Sequence, residues 1–159
     1  MPELKYLKDK KIVFRDEPFV MDVIYSMEKG NASIQLYNIF PGVQLMVTDF
    51  QSDTCYQSGM EQDVISIEHC LKGRFECMFD NRNCVYMGPG DVAINNVLHC
   101  PIASSFPLNY YVGATIILYP QICKASSELK AFGIDIEILT NKYFLNERCM
   151  LFRRKEEIE

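Results

Sequence analysis

Closely spaced turn residues divide the greater part of this chain into short β-type runs, and this pattern restricts its possible folds more than any other feature. From about residue 12 to residue 119, runs rich in β-branched and aromatic residues alternate with glycine, proline, asparagine and aspartate. Residues 64–71 and 74–79 alternate with period two, and Gly73 separates them. Many short strands at this spacing are typical of antiparallel sandwiches and barrels. We therefore predict a mainly β fold.

Further strands follow from the same pattern, at residues 43–50, 84–87, 92–94 and 110–119. Residues 80–83 form a polar hairpin loop, and Gly88-Pro89-Gly90-Asp91 forms a tight turn. If the loop is centred on residues 81 and 82, residue 79 opposes 84 and residue 77 opposes 86. Cys77 and Cys84 are then not a cross-strand pair, and we predict no disulfide between them.

The character of the chain changes after Pro120, where helical patterns replace the β-type runs. Residues 124–132 predict a short helix that Gly133 ends, and residues 134–144 are helical at least in part. Residues 146–159 are rich in Arg, Lys and Glu and predict an amphipathic helix. Because no capping residue follows this last helix, we expect the natural protein to continue beyond it.

Composition and charge exclude several classes of function for these 159 residues. The net charge of −5 and the pI near 5.1 make this an acidic domain, whereas a domain that binds nucleic acid by itself is typically basic. Residues 92–123 lack charged side chains, but prolines and asparagines interrupt them, and the longest apolar stretch, residues 110–119, is half the roughly 20 residues of a membrane helix. We expect a cytoplasmic protein with reduced thiols and no membrane contact.

Motifs of nucleophilic and phosphate chemistry are absent, and metal ligands are sparse. The sequence has two histidines, His69 and His99, and seven cysteines without a C-x-x-C pair. Glu68 and His69 are adjacent on a strand, so they face opposite sides and cannot share an ion without distortion. We therefore expect no metal and no cofactor. Cys100-Pro101 leaves open a haem or redox sensor, since such dipeptides sometimes ligate haem.

Two central segments carry a resemblance to a known family. Residues 67–79 (IEHCLKGRFECMF) and 86–95 (YMGPGDVAIN) resemble the strand–glycine–strand and Pro-Gly-Asp patterns of cupin jelly rolls. Together with residues 37–43 (YNIFPGV), 104–112 (SSFPLNYYV) and 151–159 (LFRRKEEIE), they resemble the N-terminal sensing domain of AraC-type transcriptional regulators from Firmicutes. The resemblance implies a cupin-like jelly-roll β-barrel over residues 1–120. It also implies a helical dimerisation and linker segment over residues 121–159, and a DNA-binding domain that this sequence does not include.

The sequence departs from the metal-binding cupins at the positions of their ligands. The family's Glu position falls near Ser66 and its paired histidines near residues 60–62, and neither place matches; His99 lies near the last histidine position, but alone. We therefore expect a binding domain and no enzyme activity. The alternatives are a small metal-dependent cupin enzyme with an unusual site and a haem or redox sensor that uses Cys100.

From the alternation of the strands we predict which residues line an effector site inside the barrel. These are Glu68, Cys70, Phe75, Cys77, Asn95, His99 and Tyr111. The apolar faces of the predicted helices predict a homodimer interface, formed by Leu129, Phe132, Met150, Leu151 and Ile158. An effector that prefers one arrangement of the helices would shift the population presented to the DNA-binding domain.

Overall fold

The computed structural model describes residues 13–17, 20–27, 30–54, 64–79, 84–96, 101–144 and 149–154. The described chain is mainly β, and its strands are β1 (Val13–Glu17), β2 (Val20–Met27), β3 (Gly30–Phe40), β4 (Val43–Gln51), β5 (Ile65–Gly73), β6 (Phe75–Met78), β7 (Cys84–Met87), β8 (Val92–Asn96), β9 (Ala103–Ser105), β10 (Tyr111–Leu118) and β11 (Cys149–Phe152). The helices are α1 (Pro120–Cys123), α2 (Ser127–Ala131) and α3 (Ile136–Phe144). All the strand pairs are antiparallel.

The strands form a large and a small sheet that face each other. The order in the eight-stranded sheet is β1-β2-β3-β4-β10-β5-β8-β11, and in the three-stranded sheet it is β7-β6-β9. Between β5 and β10 the chain passes to the small sheet and back twice, first for β6 and β7 and then for β9, and β10 is placed between β4 and β5. This topology, with helices after β10, confirms the predicted mainly β jelly roll with C-terminal helices.

A first core lies between the two sheets and is built around aromatic rings. Phe106, 1% exposed, stacks on Tyr111 with ring centroids 4.9 Å apart, and it also meets Phe50 at 4.9 Å. Phe75 joins these rings from β6 and Met87 from β7, so the small sheet is packed onto the large one here. Ring clusters of this kind bury large apolar areas and close this end of the barrel.

A second core lies on the opposite face of the large sheet, under the helices. It joins Ile65 and Leu118 from the strands to Leu129 and Ile136 from α2 and α3. The Ser126 side chain accepts a hydrogen bond from the Leu129 N–H and caps α2. The predicted helices at residues 124–132 and 134–144 are thus present in shortened form.

The prediction of a helix over residues 146–159 is wrong for Cys149–Phe152, which form the edge strand β11. This strand pairs with β8 from Cys149 opposite Asn95 to Phe152 opposite Val92. The backbone groups on the free edge of β8 gain partners this way, and this tertiary pairing overrides the local helical pattern of the charged residues. Since these residues form no helix, the lack of a helix cap has no bearing on them. Residues 145–148 and 155–159 lie outside the described residues.

The β6–β7 hairpin has a register one residue away from the predicted one. Met78 opposes Cys84 and Cys77 opposes Val85, and Phe75 opposes Met87. This register places Phe75 and Met87 together on the face that packs against the first core. Burial of these two side chains determines the register of the hairpin. Both thiols are free, Cys77 buried and Cys84 exposed. The loop residues 80–83 lie outside the described part.

No helix in the described ranges is long and apolar enough to cross a membrane.

Candidate ligand-binding interior

Six of the seven residues predicted to line an effector site face the space between the two sheets, which we call the interior. Cys70 and Tyr111 belong to the first core and Phe75 packs against it, while Cys77 is buried on the small sheet. Through the register of β5, β8 and β10, Glu68 and Asn95 share the face of these core residues. The seventh, His99, lies outside the described residues, as does Cys100.

A short polar contact in the interior joins Tyr111 to Glu68. The Tyr111 hydroxyl donates a hydrogen bond of 2.6 Å to Oε1 of Glu68. Burial raises the pKa of Glu68, and this hydrogen bond opposes part of that rise because it favours the carboxylate. Glu68 as a whole residue is partly exposed, although its carboxyl group is buried. The outward-facing neighbour His69 is exposed, which confirms that residues 68 and 69 face opposite sides.

Gly113 makes the Tyr111–Glu68 contact possible. A Cβ atom at Gly113 would lie 2.6 Å from the Tyr111 hydroxyl and 2.8 Å from its ring. The Tyr111 side chain therefore lies directly over Gly113, next to a register shift between Val112 and Gly113. Sequence reasoning did not identify this residue. The available signal was a glycine inside a strand pattern, which often marks a bulge or a close approach.

Three thiols lie close enough to the Glu68 carboxyl group to be affected by its charge, and they remain protonated at neutral pH. Burial first, and the negative charge of Glu68 second, raise the pKa of Cys70 to about 11 and that of Cys149 to about 11. Burial, with Cys149 and Glu68 nearby, raises the pKa of Cys77 to about 12. Cys149 was missed by sequence reasoning because residues 146–159 carried a helical pattern. These thiols act as small apolar groups in the wall.

Other polar groups of the wall come from residues that the sequence did not single out. Thr115 is buried on β10 directly opposite Glu68. Ser104 lies on β9 opposite Cys77, and its buried hydroxyl has no hydrogen-bond partner in the described structure. Ser66 and Asn95 pair across β5 and β8 and are partly exposed. The interior therefore has a closed aromatic end and a more polar, more accessible end.

The residues predicted to form a dimer interface separate into different environments. Leu129 is 5% exposed in the second core, and Leu151 packs against the first core. Met150 is partly buried on β11, and Ile158 lies outside the described residues. Phe132, in contrast, is 76% exposed. Other exposed apolar side chains of the helical segment are Ile122, Ile134 and Ile138.

Asp91 of the Pro-Gly-Asp turn holds the end of β11. Its carboxylate accepts hydrogen bonds from Nη1 of Arg153 at 2.6 Å, from the Gly88 N–H at 2.9 Å and from the Arg154 N–H at 3.1 Å. Burial by itself raises the pKa of Asp91, but these hydrogen bonds and the Arg153 charge outweigh it and lower the pKa below its ordinary value. The Arg153 guanidinium also lies 4.0 Å from the Tyr86 ring centroid.

Two further observations bear on other kinds of site. Within the described residues, no group of three or more His, Cys, Asp and Glu side chains is placed to hold a metal ion. A groove of about 380 Å³ lies between the helices, with Lys124, Lys130 and Glu137 among its lining residues. This groove is separate from the interior, since it lies on the helical side of the large sheet.

Comparisons with known proteins give partial structural resemblances. No family model and no curated protein matches the chain. A transcriptional regulator of the HTH_3 family from Vibrio cholerae is 18% identical over 55% of this chain and 51% of its own, with a TM-score of 0.43. A cupin superfamily protein from Desulfitobacterium hafniense is 16% identical over 67% of this chain and 83% of its own, with a TM-score of 0.37. A putative ethanolamine utilization protein Q from Salmonella typhimurium is 12% identical over 70% of this chain and 95% of its own, with a TM-score of 0.38.

The matched segment spans about half or less of several of the solved proteins. It covers 51%, 46% and 39% of the chain in three of them, among which is the regulator. At these identities the resemblance concerns architecture and not activity.

Proposed function

We propose that this chain is the effector-binding and dimerising domain of a bacterial AraC-type transcription regulator that acts in the cytoplasm. A small molecule binds in the interior, and DNA is contacted by a separate helix-turn-helix domain. The net charge of −5 agrees with a domain that leaves nucleic acid to another part of the protein.

The observation that carries this proposal is the convergence of six predicted lining residues on one interior. The wall is largely apolar, and a few polar groups point into it: the Glu68 carboxyl, the Tyr111 hydroxyl and the Asn95 amide. Small-molecule sites have this composition, because apolar surface supplies binding energy and a few polar groups fix orientation. The fold supplies a wall for such a site, and the residue pattern supplies its specificity.

A route from the interior to the helices runs through strands β5 and β8. Glu68 and Asn95 face the interior, whereas Ile67 and Ile94, their neighbours in the chain, pack against the second core beneath α2 and α3. Because both faces of the same strands are packed, a ligand that moves β8 also moves the helices. The effector thereby changes the helix arrangement.

The end of β11 offers a second route. Cys149 lies opposite Asn95 on β8, and Leu151 packs against the first core. Asp91 ties the two following arginines, Arg153 and Arg154, to the turn before β8. Occupancy of the interior is thereby coupled to the segment that follows the barrel wall.

Dimerisation, in this proposal, uses the exposed apolar side chains of the helical segment. Phe132 is 76% exposed and Ile138 is 63% exposed, which is unusual for large apolar side chains clustered on one short segment. Leu129 supports this surface from the core. Light scattering at increasing protein concentration measures the dimer, and a mass that stays monomeric at high concentration contradicts it.

The binding function is tested by thermal-shift screening of the purified chain against a library of small metabolites. A ligand present at 100 times its Kd stabilises the folded state by about 2.7 kcal/mol, which corresponds to a rise of roughly 5–10 °C for a domain of this size. The hit should lose its effect in Tyr111→Phe or Glu68→Gln. A library without any hit contradicts the proposal.

Metal analysis separates this function from that of a small metal-dependent cupin enzyme. Binding in the interior requires no metal, so the purified chain and a His99→Ala variant should give the same metal content. Stoichiometric metal that His99→Ala removes would favour the enzyme.

A further inference from the structure

Glu68 is an acidic side chain on a wall without a basic one among the described residues. The residues in register with it or beside it on that face are Ser66, Cys70, Ala93, Asn95, Thr115, Cys149 and Leu151. In the described part of the chain, its hydrogen-bond partner is the neutral Tyr111 hydroxyl. Among the described residues, no positive charge faces this buried carboxyl group, so none of them offsets the hydration that its carboxylate form loses.

Among the described residues, the ionisable groups around Glu68 are all acidic. In the described part of the chain, the groups that titrate and face Glu68 are Tyr111 on β10, Cys70 on its own strand, Cys77 on β6 and Cys149 on β11. Burial above all, and the charge of Glu68 in addition, raise the pKa of all three thiols, so none carries a competing charge at neutral pH. Asp91, which also acts on Cys70, is neutralised by Arg153. Within the described part of the wall, the charge that a ligand would meet is therefore that of the Glu68 carboxylate.

Geometry shows where a ligand would meet this charge. Tyr111 and the other core rings close the interior on one side of Glu68. On the other side, Ser66, Asn95 and Cys149 form the next row across the sheet and are partly exposed. A ligand that enters from this row reaches Glu68 before it reaches the rings. Its remaining atoms then lie against the amide, hydroxyl and thiol groups of the row.

We propose that the interior binds a small ligand with a protonated amino group, with the Glu68 carboxylate as its counter-ion and the Asn95 row as the wall against its remaining atoms. This inference rests on the proposed binding function and names the chemical class of its ligand. Tyr111 acts as a positioning residue, since its hydroxyl donates a hydrogen bond to Oε1 of Glu68.

The experiment compares three probes of equal length and different charge: n-butylammonium, 1-butanol and butyrate. Methyl resonances of Ala93, Thr115 and Leu151, which lie in the row of Glu68, report binding in the isotope-labelled chain. We expect n-butylammonium to shift these resonances at concentrations at least about tenfold lower than 1-butanol does, and butyrate to leave them unchanged.

Variants show which carboxyl group is responsible. Glu68→Gln should weaken n-butylammonium binding at least about tenfold and leave 1-butanol binding unchanged. Glu137→Gln, on the exposed face of α3, is the matched control and should behave as the wild type. Binding of n-butylammonium should strengthen as the pH rises through the pKa of Glu68, because the proton and the amine compete for the carboxylate.

The outcomes separate the two proposals. Equal binding of n-butylammonium and 1-butanol, unaffected by Glu68→Gln, overturns the amine assignment and leaves an interior that binds neutral ligands. Preferred binding of butyrate also overturns it. If none of the probes and no library compound perturbs the methyl groups, both the amine assignment and the proposed binding function fail.

Discussion

Replacing Tyr111 by phenylalanine removes one hydroxyl group from the interior and leaves the ring in place. The ring still stacks on Phe106, whose plane is tilted by 11° from it, so the core is unchanged. Among the described contacts of the hydroxyl group, the change removes the hydrogen bond of 2.6 Å to Glu68. That length is typical of a hydroxyl that donates to a carboxylate, and hydrogen bonds to charged groups contribute about 1.5–3 kcal/mol. We expect Tyr111→Phe to lower the free energy of unfolding by about 2 kcal/mol at neutral pH, or Tm by roughly 4–8 °C.

A double-mutant cycle with Glu68→Gln isolates the charge in this contact. In the Glu68→Gln background the hydroxyl donates to a neutral amide oxygen, and such a bond contributes about 1 kcal/mol. The coupling energy between the two sites should therefore be about 1 kcal/mol. Glu68→Gln by itself should leave the free energy of unfolding at neutral pH unchanged or higher, because it removes a buried charge without a described counter-ion.

The pH dependence gives the same contact an independent test. Burial raises the pKa of Glu68 above its ordinary value of 4.5, so the folded state holds this proton more tightly than the unfolded state does. The contribution of Glu68 to stability is therefore fully present below 4.5 and is lost as the pH rises through the folded-state pKa. Loss of the Tyr111 hydroxyl raises that pKa further, so the cost of Tyr111→Phe should grow with pH. Urea unfolding at several pH values measures it, and an equal cost at acidic and neutral pH and in both backgrounds would refute the reasoning.

Three other perturbations test the remaining parts of the structure. Asp91→Asn should lower the free energy of unfolding by about 2–4 kcal/mol, because it weakens the charge-assisted bonds that hold Arg153. Since the pKa of Asp91 is lowered, the greater stability of the wild type should be present above pH 3.8 and disappear on acidification. A stability difference that does not depend on pH in urea unfolding would contradict this. Gly113→Ala should displace the Tyr111 ring and lower Tm, and a further Tyr111→Phe change should then have no additional effect. Full additivity of the two changes in thermal unfolding would be evidence that Gly113 does not support the Tyr111–Glu68 contact. Phe132→Asp should shift the mass measured by light scattering from dimer to monomer, and it should change the free energy of unfolding by no more than about 0.5 kcal/mol. A dimer that persists would show that this surface is not the dimer interface.

The interior could be predicted from the sequence to the extent that it depends on alternation. Glu68 and Cys70, two residues apart, must share a face of any strand that contains both, and the pattern of residues 64–71 indicates a strand. Gly113 could not be assigned a role in advance. Its importance depends on the direction of the Tyr111 side chain over it, which arises only when β10 pairs with β5.

The C-terminal region shows the opposite case, in which local pattern was misleading. Residues 146–159 have the charge and apolar spacing of a helix, yet Cys149–Phe152 form a strand. A segment of four residues carries too little local information to determine its own structure, and the edge of β8 offers hydrogen bonds that a local pattern does not reveal. The environment of Leu151, predicted at a helical interface and found against the first core, changed for the same reason.

The class of the fold and the faces of its central strands could be predicted from the amino-acid sequence, because strand alternation and turn chemistry act over a few neighbouring residues. What those faces meet depends on the folded chain: which strand covers Asn95, which ring lies over Gly113, and which arginine holds Asp91. Those contacts join residues far apart in the chain, as with Glu68 and Tyr111, 43 positions apart. Their energies depend on burial and distance, which exist only once the two sheets have closed on each other.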